Sequence, residues 1–246
     1  MTENILLDAI RHARNLFRGK TTNKTYLNIE RLPENKRAMY TPQRIKEKEN
    51  IHDEFLEDFL LKEHIMDRYN HALYKSDAGE VLIGNCGELT LSILGYLTTH
   101  RVDDLLNSFI SSGKRNINNK MIPVYILIIA FDDPYDHTIA VITLPEQTQD
   151  LPEINKIYDA LPDNSWVCDP WANIVCPSED YITRWKVKML RWHLVEKSTS
   201  VHQDDQMRDS SSPLRHANYL AITRSKKRVI HIATISPDGK VDITQG

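Results

Sequence analysis

The chain has 246 residues, of which 41% are hydrophobic and 26% charged, and its formal net charge is −3. These values indicate a globular protein with a full hydrophobic core and give no electrostatic case for nucleic-acid binding. No stretch approaches the roughly 18 consecutive apolar residues that a transmembrane helix needs. Only eight glycines are present, in neither a G-x-G-x-x-G nor a G-x-x-x-x-G-K pattern, which argues against a glycine-rich nucleotide-binding loop.

The N-terminal region, residues 1–40, is predicted to be a helix followed by a polar connection. Residues 3–18 have apolar side chains at helical spacing, and a helix packed on the core is favoured over one on a membrane surface because its basic face is short. Asn4, Asp8 and Arg11 interrupt the apolar residues, so no signal peptide is indicated. We therefore expect the protein to be cytoplasmic in the producing cell.

Residues 41–246 are predicted to form a single domain that starts with helices. Thr41-Pro42 is typical of a helix start, and a helical region follows to about Tyr74 with a break near Glu49-Asn50. The most uniformly apolar helix is predicted from Cys86 to about Thr99, and another follows over residues 101–110. All of these helices precede the first predicted strand.

The remainder of the chain is predicted to be mostly strands. Continuous apolar runs predict strands at Ile122–Phe131, His137–Leu144 and Ser165–Asp169, with a short helix at 153–160. A helix over 179–194 and a polar loop at about 197–215 follow. Further strands are predicted at 219–223, 228–235 and 240–244. This order predicts an α+β fold, with N-terminal helices packed on a largely antiparallel sheet.

The three cysteines differ in their surroundings. Cys86 stands between small residues at the predicted start of the apolar helix, where unpaired N–H groups and the helix dipole favour a thiolate. Cys168 and Cys176 are each more typical of small buried core residues. An odd, low cysteine count fits a reducing compartment.

Two further residues could activate the Cys86 thiol. His137 opens one predicted strand and Asp169 ends another. A histidine within hydrogen-bonding reach can take the thiol proton, and a carboxylate on its far ring nitrogen fixes the tautomer and stabilises the cation. The Cys86 N–H could then stabilise an oxyanion. A nucleophilic cysteine with a histidine base and an orienting aspartate is therefore the candidate site.

Three motifs carry a resemblance to a known group of enzymes: Gly-Asn-Cys-Gly-Glu at 84–88, Asp-His-Thr-Ile-Ala-Val-Ile at 136–142 and Trp-Val-Cys-Asp-Pro-Trp-Ala-Asn at 166–173. Together they resemble the papain-like and transglutaminase-like cysteine enzymes, in particular the bacterial effectors of that clan, which include cysteine proteases and glutamine deamidases. The resemblance implies a papain-like catalytic domain that forms a thioester on a protein substrate, with a host protein as one such substrate. It also implies release into a host cell by a dedicated secretion system.

The motifs depart from these families at two points. Residues 76–85 contain no glutamine, which the papain pattern uses in its oxyanion hole, and Gly87 follows the cysteine where transglutaminases have tryptophan. We predict that Asn85, Gly87 and Trp171 belong to the substrate cleft or oxyanion site. Deamidation, proteolysis and transglutamination share the thioester, so these residues do not separate them.

Several alternatives stay open. Asp136 is a rival orienting group, although neighbouring side chains on a strand point to opposite faces. Asp132, Asp133, Asp136 and His137 could form a metal loop, but no second histidine is near, and we expect neither a metal nor a cofactor. Glu88 is explained by its favourable position in the first helical turn. A catalytically silent papain-like module that only binds a partner is the rival function.

Overall fold

The computed structural model describes residues 1–111, 116–117, 120–132, 137–144, 152–200, 210–215, 219 and 221–246. Its helices are α1 Thr2–Leu16, α2 Glu34–Arg37, α3 Pro42–Leu60, α4 Ile65–Asp77, α5 Cys86–His100, α6 Val102–Ser111, α7 Ser178–Leu194 and α8 Ala221–Arg224, with a 3-10 turn at Ile29–Arg31. The strands are β1 Lys24–Tyr26, β2 Asn116–Ile117, β3 Lys120–Met121, β4 Val124–Phe131, β5 His137–Thr143, β6 Ile157–Tyr158, β7 Trp166–Asp169, β8 Ile174–Pro177, β9 Lys197–Ser200, β10 Ser210–Ser211, β11 Lys227–Ile235 and β12 Val241–Gln245.

Seven antiparallel strands form the central sheet. Six of them lie in the order β12–β11–β4–β5–β7–β8, and β6 pairs with the start of β11. Strands β4 and β5 lie in the middle of the sheet and are almost entirely buried, which explains their uninterrupted apolar sequence. The predicted α+β class with an antiparallel sheet is confirmed.

Helix α5 lies at the centre of the packing between helices and sheet. It contacts β4, β5 and β11 on the sheet as well as α1, α4 and α6. Its side chains Ile93, Leu94 and Leu97 are completely buried. Gly95 allows the closest approach, because an added Cβ there would lie 2.3 Å from the Tyr69 ring of α4. The start of α5, where Cys86 lies, is thus held rigidly against the sheet.

Helix α1 packs on this core, as the sequence predicted. It contacts α5, β7 and β8, and its apolar side chains Leu6, Ala9 and Ala13 are completely buried. This face is therefore not available to a membrane surface. Within the described residues, no helix is both long enough and apolar enough to cross a bilayer.

Three of the predicted elements differ from the structure. The helical region after Pro42 is interrupted at 61–64 and not at 49–50; there the His64 ring accepts a hydrogen bond from Met66 N–H and caps α4. Residues 153–160 are not helical, because Ile157–Tyr158 pairs with β11. The strand predicted at 219–223 is also wrong, since helix α8 occupies 221–224.

A second, smaller sheet joins distant parts of the chain. Strand β1, within the connection predicted to have little regular structure, pairs with β9, and β9 pairs with β10. The predicted polar loop at about 197–215 therefore contains strand residues at 197–200 and 210–211, whereas 212–215 are irregular and 201–209 lie outside the described residues. This sheet places Lys24 of β1 beside the residues that follow α7.

Candidate active site

The Cys86 thiol lies at the first residue of α5. Leu89 N–H makes the first bond of the helical pattern, to the Asn85 carbonyl at 3.2 Å, so the amides of residues 86–88 have no partner within the helix. Asn85 N–H donates to the Glu88 carboxylate at 2.6 Å, which fixes this first turn. The helix start therefore offers N–H groups and a positive dipole end next to the sulfur. Cys86 itself is 7% exposed.

The imidazole of His137 lies between the thiol and a carboxylate. Its Nε2 is 3.0 Å from Asp169 Oδ2, and its ring also forms a hydrogen bond with the Cys86 side chain. With Nε2 engaged by Asp169, Nδ1 is the ring nitrogen left for the thiol. The Thr90 hydroxyl, one turn after Cys86, donates to the Thr138 carbonyl at 3.0 Å and links α5 to the start of β5.

The Asp169 carboxylate is completely buried and accepts three hydrogen bonds. Besides His137, the Tyr181 hydroxyl donates to Oδ2 at 2.9 Å, and the Ala172 N–H donates to Oδ1 at 2.8 Å. These donors compensate for the loss of water around a buried charge. Asp169 is therefore held in the ionised form and in one orientation toward the imidazole.

The pKa values of the pair indicate an imidazolium–carboxylate couple. Burial alone would lower the pKa of His137, but the Asp169 charge and hydrogen bond, together with Cys86, outweigh it and raise that pKa to about 10. Burial would raise the pKa of Asp169, but the His137 cation and the three hydrogen bonds lower it. A proton that leaves the thiol therefore has a stable position on the imidazole.

Aromatic rings enclose His137 and keep water from it. Trp171 lies 5.4 Å and Trp185 5.2 Å from the imidazole, measured between ring centroids. The Trp171 indole N–H donates to Asn23 Oδ1 at 2.8 Å, so a residue near the N-terminus holds this wall in place. Sequence reasoning selected Trp171 but missed Trp185 and Asn23. Trp185 lies at the spacing expected of a helix residue that packs in the core, so its spacing does not indicate a role at the site. No sequence pattern around Asn23 indicates such a role either.

The tentative oxyanion residues lie next to the thiol. The Asn85 side chain is engaged by Thr22, because Oδ1 accepts from Thr22 N–H at 3.2 Å and Nδ2 donates to the Thr22 hydroxyl at 3.1 Å. Gly87 faces open space, since an added Cβ would meet nothing within 4 Å. The Glu88 N–H is engaged by the Asn85 side chain in a capping box, so the N–H groups of Cys86 and Gly87 are the candidate donors for a developing oxyanion, and their role remains a prediction.

The carboxylate of Glu88 has a structural role, as its position in the first turn predicted. It accepts the Asn85 N–H, and Oε2 lies 3.6 Å from Nε2 of the buried His52. Burial would lower the pKa of His52, but Glu88 and the adjacent Asp53 raise it. No local pattern in the sequence predicted this pairing of α3 with the start of α5.

The other two thiols lie in the core. Cys168 is completely buried and Cys176 is 1% exposed. Burial raises the pKa of Cys168 well above its ordinary value and that of Cys176 to about 12. Both are therefore poor nucleophiles at neutral pH, as free thiols in apolar surroundings are.

The alternative metal loop is only partly described. Asp132 forms an ion pair with Arg228 at 3.3 Å, and His137 is engaged by Asp169. Asp133 and Asp136, the rival orienting group, lie outside the described residues. Within the part of the chain that is described, no three or more His, Cys, Asp and Glu side chains are grouped so as to hold a metal ion.

Comparisons with known proteins add no further information about this site. No protein-family model, no curated protein and no solved structure matches the chain. The likeness to papain-like enzymes thus depends on the three short motifs. The structure brings the side chains of these motifs, Cys86, His137 and Asp169, together in one hydrogen-bonded row.

Proposed function

We propose that the protein is a cysteine-dependent acyl-transfer enzyme, a hydrolase or acyltransferase of papain-like type, that acts on a protein substrate. The observation that supports this most directly is the row from Cys86 through His137 to the buried Asp169. A core histidine needs only one partner for each ring nitrogen. Here one partner is a thiol at a helix start and the other a fully buried carboxylate, which is the arrangement that nucleophilic catalysis requires.

The proposed reaction proceeds in two steps. The Cys86 thiolate attacks a carboxamide or peptide carbonyl, a C–S bond forms, and the His137 imidazolium gives its proton to the departing nitrogen as the C–N bond breaks. A water molecule then attacks the thioester while His137 takes its proton, the C–S bond breaks, and a carboxylic acid is released. N–H groups at the start of α5 stabilise the oxyanion in both steps.

The leaving group decides between the members of this reaction class. Loss of ammonia from a glutamine side chain is deamidation, and loss of an amine from the backbone is proteolysis. An amine in place of water gives transglutamination. We favour deamidation or limited proteolysis by a bacterial effector on a single protein partner, because these are the activities of the proteins that the motifs resemble.

One observation favours the rival function, a silent binding module. Cys86 is only 7% exposed, and Trp171 beside it is 6% exposed. A substrate carbonyl reaches the sulfur only through a narrow opening or after a small movement of the surrounding side chains. A scaffold whose cleft stays closed would bind partners without any chemistry.

Alkylation with iodoacetamide at neutral pH, followed by intact-mass and peptide analysis, distinguishes the two functions. We expect Cys86 to react faster than a cysteine in the denatured chain, with Cys168 and Cys176 unmodified. Replacing His137 by glutamine should lower the Cys86 rate to that of the denatured chain or below. The catalytic proposal would be refuted if Cys86 in the unaltered protein reacted no faster than a cysteine in the denatured chain.

Incubation of candidate host proteins with the protein identifies the reaction. A mass increase of about one dalton in a candidate indicates deamidation, two smaller products indicate proteolysis, and a cross-linked product indicates transglutamination. Cys86→Ala is the control and should abolish all three. A product that persists with Cys86→Ala would show that the thiol is not the nucleophile.

A further inference from the structure

A cavity of about 360 Å³ opens beside the candidate active site. Its volume lies within the range of small-molecule sites in proteins. Among the residues that the structure describes, six of the side chains that line it are basic and none is acidic. They come from five separate parts of the chain: Arg14, Arg18, Lys20, Lys24, Lys48 and Lys197.

In the described part of the chain none of these six cations forms an ion pair, although the buried Asp169 carboxylate attracts two of them, Arg14 and Lys24, from a distance. Ion pairs occur elsewhere on the surface, but none involves a cation of this cavity. Arg14 and Arg18 donate instead to backbone carbonyls, at distances of 3.0 to 3.4 Å. Lys24 also donates to a carbonyl, that of Trp171, at 2.6 Å. The cavity thus concentrates positive charge that no ion pair within the described residues neutralises.

The ammonium groups at the inner end are held over aromatic rings. Lys24 Nζ lies 4.2 Å from the Trp171 centroid and 5.0 Å from that of Trp192, and Lys197 Nζ lies 4.8 Å from Trp192. Burial, together with repulsion from Lys197 and Arg14, places the pKa of Lys24 well below its ordinary value. Burial and neighbouring cations lower the pKa of Lys197 to about 8. A bound anion would relieve this repulsion.

The cavity shares a wall with the active site. Leu89, which lines it, lies one turn after Cys86 on α5. The Trp171 ring contacts Lys24 on one side and His137 on another. A ligand in the cavity would therefore lie next to the cleft in which the thiol acts.

We propose that this cavity binds a small polyanion that carries two or more phosphate groups. Six cations around about 360 Å³ match the charge density of linked phosphates better than that of carboxylates on a peptide, which bring one charge per side chain. The site does not require Cys86, so it is independent of the catalytic proposal.

Inorganic tripolyphosphate is the probe, titrated into the full chain at neutral pH and low salt by calorimetry. We expect saturable binding of one molecule per chain that weakens as salt is added. Because bound phosphate raises the pKa of Lys24 and Lys197, binding should take up protons, measured as heats that change with the ionisation enthalpy of the buffer. Cys86→Ala should bind equally well, which separates this test from that of the catalytic proposal.

Charge-neutralising variants locate the site. Lys24→Gln and Lys48→Gln should each weaken tripolyphosphate binding about tenfold or more. Lys48 is the safer position for folding because it is only half-buried. Lys36→Gln, which replaces an exposed lysine outside the cavity, should leave the affinity unchanged. The proposal is refuted by the absence of saturable binding, by an equal effect of Lys36→Gln, or by a glutamate-rich peptide that binds more tightly than tripolyphosphate.

Discussion

Replacing Asp169 by asparagine removes a charge from a completely buried position while leaving its shape nearly unchanged. The amide oxygen can still accept the Ala172 N–H, which places the NH₂ group where Oδ2 now meets Tyr181 and His137. An NH₂ group cannot accept a hydrogen bond, so His137 Nε2 must become the acceptor. The proton of the neutral imidazole then lies on Nδ1, the ring nitrogen left for the Cys86 thiol. Because Nδ1 already carries a proton, it can no longer accept the proton of the thiol.

The size of the effect follows from the pKa of His137. Asp169 and Cys86 together raise it from 6.5 to about 10 against the effect of burial. At about 1.4 kcal/mol per pKa unit, this net rise corresponds to about 5 kcal/mol of stabilisation of the imidazolium. Since Cys86 supplies part of it, we expect Asp169→Asn to slow thiol alkylation by about 10²- to 10³-fold.

The assay is the rate of Cys86 alkylation by iodoacetamide between about pH 5 and pH 9, followed by intact mass. Asp104→Asn, which removes a carboxylate from an ion pair with Arg101, is the matched control and should react like the unaltered protein. A folded Asp169→Asn chain with the original rate and pH profile would refute the orienting role of Asp169.

Two further predictions concern stability. Below about pH 6.5 the raised pKa of His137 contributes fully to the free energy of unfolding, and this contribution is lost as the pH rises toward 10. The lowered pKa of Asp169 contributes above about pH 3.8 and is lost as the pH falls further. Urea unfolding across this range should show the alkaline decline in the original chain but not in His137→Gln, and identical curves would contradict the assignment. Gly95→Ala should lower the free energy of unfolding by about 1–3 kcal/mol, because the added Cβ would lie 2.3 Å from the Tyr69 ring. Gly87→Ala in the same helix should leave the fold no less stable, and an equal loss from both would refute this packing argument.

The sequence predicted the elements that carry the candidate triad. The start of α5 at Cys86, of β5 at His137 and the end of β7 at Asp169 all follow from local patterns: small residues before an apolar helix, buried apolar strands, and a proline after the last strand residue. The chemistry of the three side chains then predicted that they converge. Such signals are local, and sequence reasoning works best with local signals.

The missed features depend on tertiary partners. Ile157–Tyr158 is a strand only because β11 pairs with it, and β1 is a strand only because β9 lies beside it. Four cations of the basic cavity lie between residues 14 and 24, but Lys48 and Lys197 join them only through the fold, so the sequence does not show the six as one group. The local sequence does not reveal these distant partners, and tertiary pairing overrides local propensity at such positions.

The order of strands in the central sheet has a consequence for synthesis of the chain. Strand β4 is buried between β5 and β11, but β11 is made well after β4 and β5. Until Lys227–Ile235 leaves the ribosome, the apolar edge of β4 is open and prone to wrong pairing. Because β4 supports β5, which begins with His137, the thiol gains a firmly held base only after β11 has joined the sheet. Nascent chains that still lack β11 therefore hold Cys86 beside a loosely placed His137, and their exposed β4 edge favours aggregation.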